Sequence, residues 1–214
     1  MELNIVQQIA VYALPVVFAI TLHEAAHGYV AKHFGDTTAY MLGRVSLNPL
    51  RHIDPIGTIL VPLLTMFFGG ILFGWAKPVP VNFGHLRNPK KDMLWVALAG
   101  PASNLAMAFC WALVMKIATI MPDTVFSLPM ALMGRAGITI NAVLMVLNLL
   151  PLPPLDGGRI AVSLLPSRLA YRYAALEPYG MIVLVILLFS GVLGAIMWPL
   201  IDATMTLISL LFGI

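Results

Sequence analysis

Long apolar runs, separated by short connectors rich in Gly, Pro, Asn and basic residues, dominate the chain. The first run covers residues 5–32, which as a helix at about 1.5 Å per residue exceeds the ~30 Å hydrocarbon core of a bilayer; Pro15 is expected to kink it. The connector "HFGDTTAYMLGRVSLNPLRHIDP", with its Gly, Asn and Pro residues and short alternating pieces, predicts a strand or hairpin. A second apolar stretch occupies 56–73. In "GWAKPVPVNFGHLRNPKK" Pro78 and Pro80 exclude a helix interior and suit an extended edge segment. Helices are predicted over 93–117 and 137–150, separated by a loop holding Pro122 and Asp123, the second of them stopping at "NLLPLPPLDGGR". Beyond Arg172 the chain is apolar to its end, interrupted by Gly191, Gly194, Pro199 and Asp202, which fits two crossings or one crossing and a broken segment. The pattern predicts an all-α polytopic membrane protein with about five or six membrane segments, one of them a candidate for re-entry at 56–73, and short β-hairpin segments in the connectors.

Composition agrees with this pattern. Hydrophobic residues make up 60% of the 214 and charged residues 10%, against about 45–50% and about 25% in soluble domains. Twelve Lys and Arg against nine Asp and Glu give a net charge of +3, too small and too dispersed for a nucleic-acid partner; the basic residues read as topology signals. Cys110 is the single cysteine, so neither a disulfide framework nor a thiolate metal cluster is available. The first ten residues carry no Lys or Arg, unlike the basic start of a cleavable signal peptide, and are read as mature chain. No repeat or low-complexity linker divides the sequence.

The chemistry begins at "HEAAH". His23 and His27 are four residues apart, so on a helix they point from one face one turn apart, as two ligands of one ion must. Glu24 lies about 100° round from His23: too far to ligate on the same vector, close enough to reach a water at the metal. This is the mechanical content of H-E-x-x-H, with the glutamate as general base and zinc as the usual ion. A carboxylate at the bilayer centre costs about 2.5–3.5 kcal/mol on insertion scales, so Glu24 needs a purpose there unless the triplet lies outside lipid as a solvated helix end. A hydrolytic zinc site needs a third protein ligand, and Asp156 in "NLLPLPPLDGGR" stands out. Three prolines break the backbone before it, two glycines let the chain turn closely after it, and irregular backbone at membrane depth is tolerated where protein shelters it. Taken alone, the same stretch is also ordinary surface-turn chemistry.

Together "HEAAH" at His23 to His27 and "NLLPLPPLDG" at Asn148 to Gly157 resemble the site-2 protease family of intramembrane zinc metalloproteases, whose pattern is H-E-x-x-H followed by N-x-x-P-x-x-x-L-D-G; "AGPASN" at Ala99 to Asn104 resembles the family's G-P-x-x-N. The resemblance covers about residues 16–160. It implies one zinc per chain bound by His23, His27 and Asp156, Glu24 as catalytic base, and Asn104 and Asn148 as supports for substrate or oxyanion, with a helix-packing hydrogen bond as the alternative for each asparagine. It also implies one integral-membrane protease domain over 1–214, with a catalytic core at about 5–160 and C-terminal helices at about 172–214, in a minimal form without PDZ or nucleotide-sensing parts.

Ligation requires His23, His27 and Asp156 at similar depth, which holds if 56–73 does not cross. All basic residues except Lys116 and Arg135 then fall on the side of the site, so by the positive-inside rule the site faces the cytoplasm of a prokaryotic cell membrane. The expected activity is hydrolysis of a peptide bond in or near the transmembrane segment of another membrane protein, held extended by "KPVPVNFG" or the stretch near "GRVSLN". Two other classes stay open: a catalytically inactive relative that binds membrane segments, and a metal-ion or proton transporter using His23, Glu24, His27 and Asp202. His52 and Asp54 are candidates for supporting the site or for plain turn roles, while His33 and His85 read as interfacial and Trp75, Trp95 and Trp198 as membrane-interface anchors.

Overall fold

The computed structural model describes residues 4–61, 76–121 and 124–214. Most of the apolar stretch at 56–73, Trp75, and the loop residues Pro122 and Asp123 lie outside the described residues. Helix α1 spans Ile5–His33 and α2 spans Thr38–Met41. They are followed by α3 at Pro89–Ile120, α4 at Ser127–Leu149, α5 at Asp156–Leu164, α6 at Ser167–Ala174, α7 at Glu177–Phe189 and α8 at Val192–Phe212.

Four of these, α1, α3, α4 and α8, are long and apolar enough to cross a membrane, and α6 with α7 forms a bent pair at 63° that counts as a fifth span at most. The described residues therefore support four or five spans where the hydropathy pattern suggested five or six. A short α7 broken from α6 accounts for part of the difference. Helix α4 begins ten residues before the expected start at 137, and α3 begins at Pro89, where a proline at the first helical position leaves no donor unsatisfied.

The expected β-hairpins are absent from the described connectors. Side chains there take the backbone donors that a ladder would use: Asn48 Oδ1 accepts from Leu50 N–H, Asp54 Oδ1 from Ile56 and Gly57 N–H, and Asn82 Oδ1 from Gly84 N–H. Such local turns compete directly with strand pairing. Among the described residues "KPVPV" pairs with no strand; its two prolines lack donors, and the positions before them favour extended backbone.

Small residues let the central helices approach closely. Helix α3 packs most extensively on α4, and α1 lies against both. A Cβ at Gly134 would meet Met115 at 2.7 Å, and one at Gly137 would enter the Trp111 ring. Helix α8 closes the bundle through two apolar clusters, one joining Ala142 and Val146 to Leu184, Leu193 and Met197, the other joining Trp111 and Ile138 to Ile208.

Chain direction follows from contacts at the helix ends. Arg87 donates to the carbonyls of Phe34, through its backbone N–H, and of His33, through its guanidinium. The end of α1 and the approach to α3 thus lie side by side. Lys77 N–H likewise donates to His52 O at 2.9 Å, so the chain enters and leaves 53–76 at one place. At the far end Lys116 Nζ donates to Gly213 O. One end of the bundle therefore gathers Arg87 and Lys90, whose Nζ donates to Leu165 O just past the end of α5, while Lys116 sits at the other.

Candidate metal centre

His23 and His27 occupy successive turns of α1, ten and six residues before its last residue, so His23 is about 15 Å inside the helix end at 1.5 Å per residue. Asp156 arrives as the first residue of α5, where a negative charge also suits the helix dipole. The turn that delivers it is tight. A Cβ at Gly157 would overlap the carbonyls of Leu149 and Leu150, and one at Gly158 would lie 2.6 Å from Pro153 N, so both positions of "LDGG" are closed to larger residues.

All three side chains are buried. Nε2 of His23 and Nε2 of His27 are 3.1 Å apart, and each lies 3.3 Å from Asp156 Oδ2. The outward nitrogens are both spoken for: His23 Nδ1 donates to Asn104 Oδ1 at 2.6 Å and His27 Nδ1 to the carbonyl of Val96 at 2.7 Å. That fixes the tautomer in which Nε2 is the lone-pair nitrogen. Three lone-pair atoms therefore converge in a buried cluster, and one shared proton relieves at most one of their three contacts.

A cation relieves all of them. Zinc bonds of about 2.0–2.1 Å at tetrahedral angles place ligand atoms about 3.3 Å apart, close to the 3.1, 3.3 and 3.3 Å edges of this triangle. Gly100 of α3 supplies the space: a Cβ there would lie 2.6 Å from His23 Nε2 and closer still to His27 Nε2, in the region a metal needs. The residues present fit zinc.

Glu24 points elsewhere on the same helix. Its Oε2 accepts the Val79 backbone N–H at 2.7 Å, and one turn on a Cβ at Gly28 would meet Val45 at 2.8 Å and Val79 at 3.2 Å. The extended segment carrying Val79 is itself anchored by Arg44, whose guanidinium donates to Lys77 O and Pro78 O. Asn104 sits behind His23, with its amide N–H groups on Asn141 Oδ1 at 2.9 Å and Ala19 O at 3.3 Å. Asn148 donates to Leu144 O of its own helix.

Several neighbours of this group escaped the sequence reading. Asn141 is fully buried, and its only sequence signal was a lone amide in an apolar helix two turns before Asn148. Gly100 lay inside "AGPASN" but only its Asn104 drew attention, and backbone partners such as Val96 O leave no trace in composition. His52 is buried and donates from Nε2 to the carbonyl of Ser46; it belongs to the connector. Asp202 is exposed on α8.

A profile of peptidase family M50 matches residues 122–191. YwhC of Bacillus subtilis (strain 168), named as a candidate zinc metalloprotease, is 39% identical over 193 residues, covering 89% of this chain and 85% of YwhC. The chain belongs to peptidase family M50. As a member it is a zinc metalloprotease of the site-2 protease type, and its apolar helices make it an integral membrane protein. Rip2 of Mycolicibacterium smegmatis, another candidate zinc metalloprotease by name, is 32% identical over 178 residues, or 82% of this chain and 65% of Rip2. Rip2 of Mycobacterium tuberculosis H37Rv is 32% identical over 165 residues, or 75% and 54%. No solved structure matches the chain at a significant level.

Proposed function

We propose that this chain is an intramembrane zinc endopeptidase, a single membrane domain over 1–214 that hydrolyses a peptide bond in or near the transmembrane segment of another membrane protein. The observation that carries this reading is the convergence of His23, His27 and Asp156 well inside a helix long enough to span a bilayer. A site at that depth is of use against a substrate that is itself in the membrane.

In this reading His23, His27 and Asp156 hold the zinc, leaving one position open. When bound, zinc supplies Lewis acidity toward water and the scissile carbonyl. Glu24 takes the proton from the attacking water and returns it to the leaving amine. Before it can do so its carboxylate must leave Val79 N–H or share it, which couples the base to the extended 76–82 segment. Asn104 orients His23 through the 2.6 Å hydrogen bond, and this is the duty we assign it, in place of direct support to the oxyanion. For Asn148, whose amide donates to Leu144 O of its own helix, we retain helix packing.

The substrate is extended before attack, since a helix hides its amides, and the 76–82 segment, whose Val79 N–H lies on Glu24, is the element suited to hold it. The basic residues at the site end support a cytoplasmic-facing site in a prokaryotic cell membrane. An inactive relative has no need of Glu24, and a transport path through Asp202 lacks support because that carboxylate is exposed on α8, apart from the ligand group. Replacing Glu24→Gln tests the assignment: zinc is retained and cleavage falls by about 10²–10⁴-fold, the range for losing a general acid–base group. Preserved cleavage removes Glu24 from the base role.

A further inference from the structure

We infer that Asn141 is a positioning residue for the metal centre, setting the polarity of a buried amide chain that ends on His23; the inference rests on the ligand set proposed above. Asn141 and Asn104 are fully buried, on α4 and α3, and neither touches the three ligand atoms of the centre directly except through the chain. Asn141 Nδ2 donates to Gly137 O at 2.8 Å. Asn141 Oδ1 accepts from Asn104 Nδ2 at 2.9 Å, and Asn104 Oδ1 accepts from His23 Nδ1 at 2.6 Å.

Every bond in this chain runs in one sense, and a backbone carbonyl dictates which. Gly137 O can only accept, so the group facing it must be the NH₂ of Asn141. The carbonyl of Asn141 then faces α3 and can only accept, so Asn104 must present its NH₂ there; Ala19 O, also acceptor-only, holds the same NH₂ at 3.3 Å. What remains for His23 is the carbonyl oxygen of Asn104, which accepts a proton from Nδ1 and leaves the Nε2 lone pair for the metal.

Remove Asn141 and that sense is no longer imposed from α4. Asn104 is then held by the longer Ala19 contact alone, and its amide is free to turn its NH₂ toward His23. In that orientation the ring is pushed toward Nε2–H, the tautomer that cannot ligate. Close packing explains why the chain is placed here: a Cβ at Gly137 would enter the Trp111 ring, so α4 is drawn against α3 at the turn that supplies the carbonyl.

The full chain, purified in detergent micelles, tests this by zinc affinity measured in competition with a chromogenic chelator, and by the ring ¹⁵N shifts of His23 in the metal-free protein. Asn141→Leu keeps the volume and removes the amide; it is expected to weaken zinc binding about 10–100-fold and to convert His23 from Nδ1–H to a mixture of tautomers. Asn141→Asp, a buried uncharged carboxyl that can donate to Gly137 O and accept from Asn104, restores both readouts. In an Asn104→Ala background Asn141→Leu adds no further loss of zinc affinity, because its effect passes through Asn104. Should Asn141→Leu fail to fold, Asn141→Ser, whose hydroxyl is too short to reach Asn104, carries the same expectation. Wild-type zinc affinity and an unchanged His23 tautomer in a folded Asn141→Leu or Asn141→Ser variant overturn the inference, as do losses that multiply in the double variant. Zinc binding that is indifferent to His23→Ala overturns the ligand set itself, and the amide chain with it.

Discussion

Substituting Gly100→Ala reverses the effect that this change has in an ordinary helix. In a helix interior Gly→Ala normally stabilises by about 0.5–1 kcal/mol. At position 100 the new methyl group would lie 2.6 Å from both Cε1 and Nε2 of His23, where ordinary contact begins at 3.4 Å, and closer still to His27 Nε2. The His23 ring must therefore retreat by about 0.8 Å, the difference of those two distances, and the His27 ring by more. Hydrogen bonds of 2.6 Å to Asn104 and 2.7 Å to Val96 hold them in place. Overpacking costs about 1–3 kcal/mol and loosening one buried hydrogen bond about 1 kcal/mol, so the metal-free variant is expected to lose about 1–3 kcal/mol net of the helix gain. Zinc ligand distances hold to within about ±0.2 Å, so a displacement of this size should lower zinc affinity by about 10–100-fold, the range for disturbing the groups that orient a ligand. Chelator competition and thermal unfolding of the purified protein measure both quantities. Gly194→Ala is the control: its Cβ meets Trp198 at 3.7 Å, an ordinary contact, and it should keep zinc affinity while leaving stability equal or higher. Gly100→Ala protein that binds zinc as tightly as wild type refutes the placement of the metal beside α3.

Other consequences follow from the connectors and the chain direction. Asp36, outside the spanning helices, is fully buried. Burial pushes its carboxyl up, but the Thr38 hydroxyl, the Thr38 and Asn82 N–H groups and His85 together hold it below 3.8. Its contribution to stability is therefore present above the usual carboxylate range and is lost as pH falls through the lower folded value; Asp36→Asn should flatten the acid limb of an unfolding-versus-pH curve while lowering stability at neutral pH by about 1–3 kcal/mol. Reporters inserted in the 42–48 connector and just before α3 should report the same face, the cytoplasm, and a reporter between α3 and α4 the opposite one. Reporters on 42–48 and the approach to α3 that face opposite sides contradict the paired ends at His52 and Lys77.

The helical architecture was legible because long apolar runs leave the backbone no partner but itself in lipid. The connectors were not legible, since "GRVSLN" and "KPVPV" alternate as strands do while Asn48, Asp54 and Asn82 cap local turns with side-chain oxygens. Nor was the start of α4: "SLPMALMGRA" mixes Pro, Gly and Arg, and propensity underrates a segment whose Gly134 is needed for close approach to Met115. At the site, the residues carried by side-chain chemistry stood out, as His23, Glu24, His27 and Asp156 did. What surrounds them did not, because Gly100 acts by lacking a side chain, Val96 and Val79 act through backbone, and Asn141 acts through a second amide. Those roles exist only after α1, α3 and α4 have packed.

The most direct measurement reconstitutes the zinc-loaded chain in liposomes with single-pass membrane proteins and maps any cut by mass spectrometry, for wild type and Glu24→Gln. Zinc-dependent cleavage within or at the edge of a transmembrane segment by wild type, with zinc retained and cleavage lost in Glu24→Gln, is the expected result. Equal cleavage by both proteins, or cuts confined to soluble regions of the substrates, would contradict an intramembrane zinc endopeptidase.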